Sequence, residues 1–392
     1  MPRDPQTPLN LSLPDVEATL EPVERARMLP ARAFVDPGVL EWELERIFGG
    51  WICVGHVSQV AEPGSYLMRE IGPDSVVVMG GADGRPHAFL NVCRHRGARL
   101  LSDPEGTVGR RVVCPYHAWS YALDGELTSA RHMEGVEDFD TACWGLHPVR
   151  MASVAGLVLI DLSGEAPDAE GHVGELRAHL ERYRLDGLRR VRRISYGVGA
   201  NWKAIAENYS ECLHCPGVHP ELNALSHYMS GEVMEGAGAW CGGSMTLRDG
   251  ASTMGRRGGG GRPPIDGLAA ADLRSVLYFV LFPNALVSLH PDYVMLHTLW
   301  PRAVDRTEVI CEWFFEPATI ATEGFDPSDA IDFWDQVNRE DWHVCELTQK
   351  GVRTRGYALG RYSAEEVDVH AFDAMIAERY LEALRQGQEV AA

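Results

Sequence analysis

The spacing of apolar positions changes character along this chain. Between Trp51 and Ile160 they fall in short runs (Ser75–Met79, Ala88–Val92, Val112–Cys114 and Gly156–Asp161) rich in β-branched and aromatic residues. Turn signals separate the runs: Glu62-Pro63-Gly64, Ala82-Asp83-Gly84 and Leu123-Asp124-Gly125-Glu126. Short strands punctuated in this way predict a compact antiparallel β domain. The preceding segment, Pro37–Phe48, has helical spacing. After Asp161 the periods mix. Gly174–Tyr183 reads as a helix, Arg190–Gly197 as a strand, and Asn201–His214 as a helix with Asn201 as N-cap. A loop-rich stretch follows, including the glycine-rich Gly255–Pro264. Strands are then predicted near Val276–Phe282, Ala285–Leu289, Val294–Trp300 and Val309–Phe315, and long helices at Ser328–Thr348 and Ala364–Ala383. The expected class is α+β: a β domain over 48–160, a larger α+β domain over 161–392, and a helical segment, 1–47, packing on the latter.

Composition narrows what such a chain does. A length of 392 residues suits two or three domains. With 36 basic and 56 acidic residues, the net charge of −20 argues against nucleic acid or an anionic membrane as partner. Nine cysteines are too dilute for a disulfide scaffold, and the prolines of MPRDPQTPLNLSLPD leave no secretory apolar core. No apolar stretch approaches the ~18–20 residues of a membrane span. The expectation is a cytoplasmic protein with reduced cysteines, some of them free to bind metal.

The strongest chemical signal is Cys93-Arg94-His95, then eighteen residues, then Cys114-Pro115-Tyr116-His117. Two short Cys/His pairs, each following a strand, let two hairpin tips close on one site. Zinc accepts a Cys₂His₂ set but usually pairs Cys with Cys and His with His. Mixed pairs fit a [2Fe–2S] cluster with Cys93 and Cys114 on one iron and His95 and His117 on the other. Gly97 is expected to relieve crowding near the sulfurs, and Trp119 and Tyr121 to shield them. The segment resembles the Rieske domain of the Rieske non-haem iron oxygenases, down to C-R-H-R-G and C-P-Y-H-A-W.

A second constellation lies at Asn208-Tyr209-Ser210-Glu211-Cys212-Leu213-His214-Cys215-Pro216-Gly217-Val218-His219. Two imidazoles and one carboxylate on a face of Fe(II) leave positions open for dioxygen and substrate. By itself the His pair, five residues apart, is a common spacing. The pattern N-x-x-E-x-x-H-x-x-x-x-H resembles the mononuclear iron motif of the same oxygenase family, which implies His214 and His219 as ligands with Asn208 nearby. The downstream helix offers Asp335, Glu340, Asp341 and Glu346 as the third ligand. The resemblance to the family's aspartate ahead of a Q-x-G run selects Asp341, with Glu340 next. Glu211, one turn before His214, can accept a hydrogen bond from that ligand's second ring nitrogen. In the family the equivalent carboxylate bridges to a Rieske histidine of a neighbouring subunit, which implies an electron-transfer role for Glu211 and a homo-oligomer, usually a trimer.

Cys212 and Cys215 form a C-x-x-C without a βαβ context and are expected to be reduced packing residues. Gly197-Val198-Gly199-Ala200 lacks the third glycine of a dinucleotide site. Electrons from NAD(P)H must therefore arrive through a separate flavin or ferredoxin reductase. Substrate is less legible. The aromatics Tyr209, Trp240, Phe279, Tyr293 and Trp300 lie in the larger domain, with Tyr209, Trp240 and Tyr293 the candidates for substrate binding. Aromatic faces would hold a quaternary ammonium ion, and equally an arene. The segments YFVLFPNALVSLHPDYV and FDPSDAIDFWDQVNREDW, with the glutamate at 211, resemble the glycine betaine, stachydrine, carnitine and choline branch of the family. That resemblance implies a helix-grip-like catalytic domain, [2Fe–2S] and Fe(II) as cofactors, O₂ as co-substrate, and N-demethylation of a betaine-type compound. Aromatic ring hydroxylation is the alternative, and a Rieske-type electron carrier the alternative that is not an enzyme.

Overall fold

The computed structural model describes residues 9–259 and 261–391. Residues 1–8 of the expected N-terminal segment and Gly260 of the glycine-rich loop lie outside that range. The chain divides into two compact units, Phe48–Glu170 and, together, Met1–Ile47 with Gly171–Ala392. The smaller unit extends past the expected 160 because Asp161 folds the next segment back. Its carboxylate accepts from Ser163 Oγ at 2.7 Å, Gly164 N–H at 3.1 Å and Ala166 N–H at 3.2 Å, and takes Arg150 at 3.0 Å.

The smaller unit contains strands β1 (Trp51–His56), β2 (Ser65–Ile71), β3 (Asp74–Gly80), β4 (Pro86–Leu90), β5 (Glu105–Thr107), β6 (Arg111–Val113), β7 (Ser120–Ala122), β8 (Leu127–Ser129), β9 (Arg150–Val154) and β10 (Leu157–Asp161). They form antiparallel sheets in the orders β4-β3-β2-β5, β1-β10-β9 and β6-β7-β8. Gly72, at φ 56°, makes the two-residue turn between β2 and β3. One core packs Tyr66, Met79, Phe89, Trp119 and Tyr121 around the two cysteines, Cys93 and Cys114.

The larger unit is built on a seven-stranded antiparallel sheet of β11 (Arg189–Val198), β12 (Ser226–Val233), β13 (Trp240–Leu247), β14 (Ser275–Leu281), β15 (Ala285–Leu289), β16 (Val294–Ala303) and β17 (Arg306–Phe315). Its order is β11-β17-β16-β15-β14-β13-β12. The sequence pattern predicts β11 and β14–β17 but not β12 and β13. Gly231, Gly242 and Gly243 depress the strand signal there. At Gly242, φ 139°, a Cβ would lie 2.1 Å from the Tyr278 carbonyl, so the strand needs glycine at that point. Long helices at Ser328–Gly351 and Val367–Ala391 and a short one at Trp202–Tyr209 complete the α+β unit. The first buries Phe333, Trp334, Val337, Asn338, Trp342, Cys345 and Gln349, a stripe at helical spacing. Among the described residues no helix is long and apolar enough to cross a membrane.

A buried ion pair ties three segments of this unit together. Lys203 Nζ lies 2.6 Å from Glu43 Oε1, both side chains being 0% exposed. Glu43 also accepts from Trp202 Nε1–H at 2.8 Å and from the Tyr380 hydroxyl. Removing one partner of a buried pair strands the other charge. Glu43→Ala should therefore destabilise the fold by about 3–5 kcal/mol in denaturant unfolding, and Glu43→Leu combined with Lys203→Met should recover most of that loss.

Candidate metal centres

In the smaller unit the turns after β4 and β6 share one backbone pattern. Cys93 N–H donates to Ala98 O at 2.8 Å and Gly97 N–H to Cys93 O at 3.0 Å; Cys114 N–H donates to Trp119 O at 2.8 Å and Ala118 N–H to Cys114 O at 3.1 Å. The fourth residue after each cysteine is left-handed, Gly97 at φ 70° and Ala118 at φ 57°. Gly97 takes this left-handed conformation without strain, which a side chain there would not.

These matched turns bring the four candidate donors together in like pairs. The Cys93 thiol is raised above its usual pKa, chiefly by burial and also by the neighbouring Cys114 thiol. The Tyr121 hydroxyl lies 3.3 Å from Cys93 Sγ and accepts Arg94 N–H at 3.0 Å. The His95 and His117 rings meet edge to face at 4.6 Å, and His95 stacks on Trp119 at 4.8 Å. His95 Nδ1 is shielded from solvent and has no partner among the described residues. Thiol beside thiol, imidazole beside imidazole and an unpartnered ring nitrogen fit a [2Fe–2S] cluster divided Cys₂/His₂ between two irons. They fit zinc less well, because no three of these donors fall within 4.8 Å of one another as tetrahedral coordination of one ion requires.

In the larger unit the Trp202–Tyr209 helix starts where Asn201 accepts Lys203 N–H at 3.1 Å. It ends five residues short of the expected His214. Past the Ser210 C-cap, the Glu211 carboxylate accepts Leu213 N–H and turns the chain. The short helix Cys215–Val218 then delivers His219. Cys212 and Cys215, which flank His214, are joined as a disulfide rather than reduced as expected. The turn that donates Cys215 N–H to Cys212 O at 3.0 Å brings their Cα atoms to 5.0 Å.

Both imidazoles meet one carboxylate oxygen from the Ser328–Gly351 helix. His219 Nε2 lies 2.7 Å and His214 Nε2 3.3 Å from Asp341 Oδ1. Among the described residues these are the one set of three His, Cys, Asp or Glu donors within 4.8 Å of one another. The far ring nitrogens are held as well: His214 Nδ1 is 2.5 Å from Glu211 Oε1, and His219 Nδ1 is 2.6 Å from Glu340 Oε2. Glu340 thus stands behind a histidine instead of beside Asp341. Consecutive helical residues point about 100° apart, so only one of the two can face both imidazoles. Burial pushes the His214 pKa down, but hydrogen bonds to Asp341 and Glu211 outweigh it and raise it to about 9. Asp341 shifts the opposite way: burial raises it, and its two histidine partners bring it below the usual carboxylate value. The donor chemistry fits a 2-His-1-carboxylate iron site with oriented imidazoles.

A cavity of about 210 Å³ opens beside this triad. Asn208, Tyr209 and Glu211 line it, with Tyr209 Oη 2.8 Å from Ser288 Oγ. Trp240 and Tyr293 do not. Trp240 donates to Ala237 O at 3.0 Å and packs on Phe279, while Tyr293 is fully buried, donates to Met254 O and accepts from Trp334 Nε1–H at 2.7 Å. The aromatic walls are instead Tyr278 and Trp334. Trp334 lies two turns before Asp341 on one helix face, a spacing that could have found it. Tyr278 depends on which face of β14 is inward, which sequence leaves open.

Comparison with known proteins identifies the class. Residues 185–382 match the ring hydroxylating alpha subunit (catalytic domain) family, and residues 50–140 match the Rieske [2Fe-2S] domain. The chain belongs to the Rieske ring-hydroxylating oxygenase α subunits, oxidoreductases that carry a [2Fe–2S] domain and a non-haem iron catalytic domain. It is 29% identical over 390 residues to the glycine betaine monooxygenase oxygenase subunit of Pseudomonas aeruginosa, covering 92% of this chain and 90% of that protein. It is 32% identical over 357 residues to the carnitine monooxygenase oxygenase subunit of Escherichia coli, covering 87% and 89%. The crystal structure of a quaternary ammonium Rieske monooxygenase with its substrate L-carnitine superposes with a TM-score of 0.79 at 26% identity, over 93% of this chain and 98% of that one. As an oxygenase subunit, the chain acts on a small molecule with electrons from a separate reductase.

Because His214 stays protonated to about pH 9 in the metal-free site, a metal ion must displace protons to bind. Fe(II) or Co(II) affinity should rise with pH towards that value. Calorimetric titration near pH 7 in two buffers of different ionisation enthalpy should reveal net proton release; a metal affinity that does not change with pH would contradict the protonated network.

Proposed function

We propose that this chain is the oxygenase component of a monooxygenase that N-demethylates a quaternary ammonium compound. The observation that carries the reading is the cavity beside the His214–His219–Asp341 triad, walled by the rings of Tyr209, Tyr278 and Trp334 and by carboxylates. Aromatic faces attract a desolvated cation by about 2 kcal/mol in favourable cases, and carboxylates add to this. An arene, the substrate class of ring hydroxylation, gains nothing from the carboxylates.

On this reading Cys93, Cys114, His95 and His117 hold the [2Fe–2S] cluster, and His214, His219 and Asp341 hold the mononuclear iron. The bound iron supplies dioxygen activation, fed with electrons through the cluster. Glu211 and Glu340 orient the two imidazoles and keep their Nε2 lone pairs aimed at one point. Glu211 also serves as the electron-transfer bridge between subunits of a cytoplasmic homotrimer, while Asn208 borders the iron. The aromatic walls keep the methyl group dry and near the triad. Hydroxylation of an N-methyl carbon consumes O₂, two electrons and two protons and releases water; the cationic carbinol then loses its hydroxyl proton to solvent as its C–N bond breaks, giving the lower amine and formaldehyde. An electron carrier of the Rieske type has no use for such a triad and cavity.

With NADH and a reductase, betaine-type or other trimethylammonium compounds should yield formaldehyde in step with oxygen consumption. A diol from an arene, without formaldehyde from any amine, would sink the assignment. His219→Ala should lower iron from three to two per chain and keep the cluster's visible absorption while turnover is lost, since iron bonded to two remaining donors is held far more weakly.

A further inference from the structure

We infer that Cys212 and Cys215 form a reversible redox pair that reduces hydrogen peroxide released inside the cavity, the thiols closing to a disulfide and reopening with a dithiol reductant. This goes beyond the N-demethylation reading. It rests on that reading only for the assignment of the His214–His219–Asp341 triad as the place where dioxygen is reduced.

The pair brackets a metal ligand and faces the reacting space. Cys212, His214 and Cys215 all line the cavity beside the triad. Cys212 is partly exposed there, whereas Cys215 is buried. The other seven cysteines are free, so the pairing belongs to these two among the described residues. Only two residues stand between them, which keeps the second sulfur within reach of the first.

Closing the pair leaves the ligand set in place. With the sulfurs joined, His214 Nε2 meets Asp341 at 3.3 Å and its Nδ1 meets Glu211 at 2.5 Å. The turn is also held without sulfur. Cys215 N–H donates to Cys212 O and Val218 N–H to His214 O, both at 3.0 Å, and His219 N–H donates to Cys215 O at 2.8 Å. These backbone bonds serve the dithiol equally well, so the two forms can interchange without moving either histidine.

Peroxide arises when dioxygen takes up two electrons and two protons and no carbon is hydroxylated. Formed within the cavity, it meets Cys212 at a far higher local concentration than peroxide in bulk solution does. The accessible Cys212 sulfur attacks one peroxide oxygen; the O–O bond breaks, and the departing hydroxide leaves as water with the thiol proton. The Cys215 sulfur then attacks the sulfenic acid on Cys212. The S–O bond breaks, the S–S bond forms, and a second water leaves with the Cys215 proton. Two thiols have lost two electrons, and one peroxide has gained them. A dithiol returns two electrons and two protons through a mixed disulfide.

The test uses the full-length, iron-loaded protein with NADH and a reductase, without organic substrate, after reduction with dithiothreitol and removal of the reagent. Peroxide appearing in solution is followed against NADH consumed, and mass spectrometry after alkylation reports the state of each cysteine. The first peroxide, about one equivalent per chain, should be missing from solution while Cys212 and Cys215 together become resistant to alkylation. Dithiothreitol should restore both thiols. Protein started in the disulfide form should show no deficit, nor should the double variant Cys212→Ser, Cys215→Ser, and iron content should be equal in the two redox forms. Peroxide released from the start with both thiols still alkylatable would overturn the inference and leave the triad assignment standing, as would loss of iron when the disulfide is reduced. In His219→Ala, turnover should leave the thiols reduced while added peroxide still oxidises them. Undiminished thiol loss during turnover of that variant would overturn the triad assignment, and the inference with it.

Discussion

Two imidazoles share one carboxylate oxygen, and the larger unit is organised to make that arrangement tolerable. Three carboxylates and two histidines are collected in a largely buried place, where any unpaired charge would be costly. Each group therefore has an assigned partner: Asp341 faces both Nε2 atoms, while Glu211 and Glu340 face the Nδ1 atoms. Separate links hold the two supporting segments at the required separation. Asn201 N–H donates to Gln349 Oε1 at 2.8 Å, Gln349 Nε2–H donates on to Phe34 O at 3.0 Å, and Tyr196 Oη donates to Asp335 at 2.7 Å. With the Lys203–Glu43 pair behind them, these bonds connect the His-bearing segment to the Asp341 helix through the N-terminal segment and the sheet.

The cavity inherits its character from the same elements. Trp334 and Asp341 belong to one helix, Tyr278 and the Gly242 amide to neighbouring strands, and Asp368, which lines the cavity and accepts Gly242 N–H at 3.0 Å, to the start of the last long helix. One glycine, required by the closeness of β13 and β14, thus fixes the donor that holds a cavity carboxylate. The net charge of −20 acts in the same direction at longer range, attracting cations to the protein before any specific contact forms.

The smaller unit reaches its site by repetition. Two turns with the same hydrogen bonds, each relaxed by a left-handed fourth residue, present a buried thiol and a half-exposed imidazole apiece. The thiols face the hydrophobic core beside Tyr121, and the imidazoles lie further out against Trp119 and each other. That layering lets a cluster be dry on its sulfur side and reachable on its histidine side.

Sequence alone determined what is local. The Cys93/His95 and Cys114/His117 pairs, the His214/His219 spacing, the Asn201 cap and the central strands follow from turn chemistry and periodicity within about a dozen residues, and family resemblance picked out Asp341. Only the tertiary structure decided what depends on register and on faces. It separated Asp341 from Glu340, which differ by one helical step, and it put Tyr278 and Trp334 in the cavity in place of Tyr293 and Trp240. It also recruited Gly242 and Asp368 from strand and helix positions 126 residues apart. The reason is geometric. A side chain's direction relative to a distant site is set by strand parity and helix rotation, and these are fixed only when the sheet and helices pack.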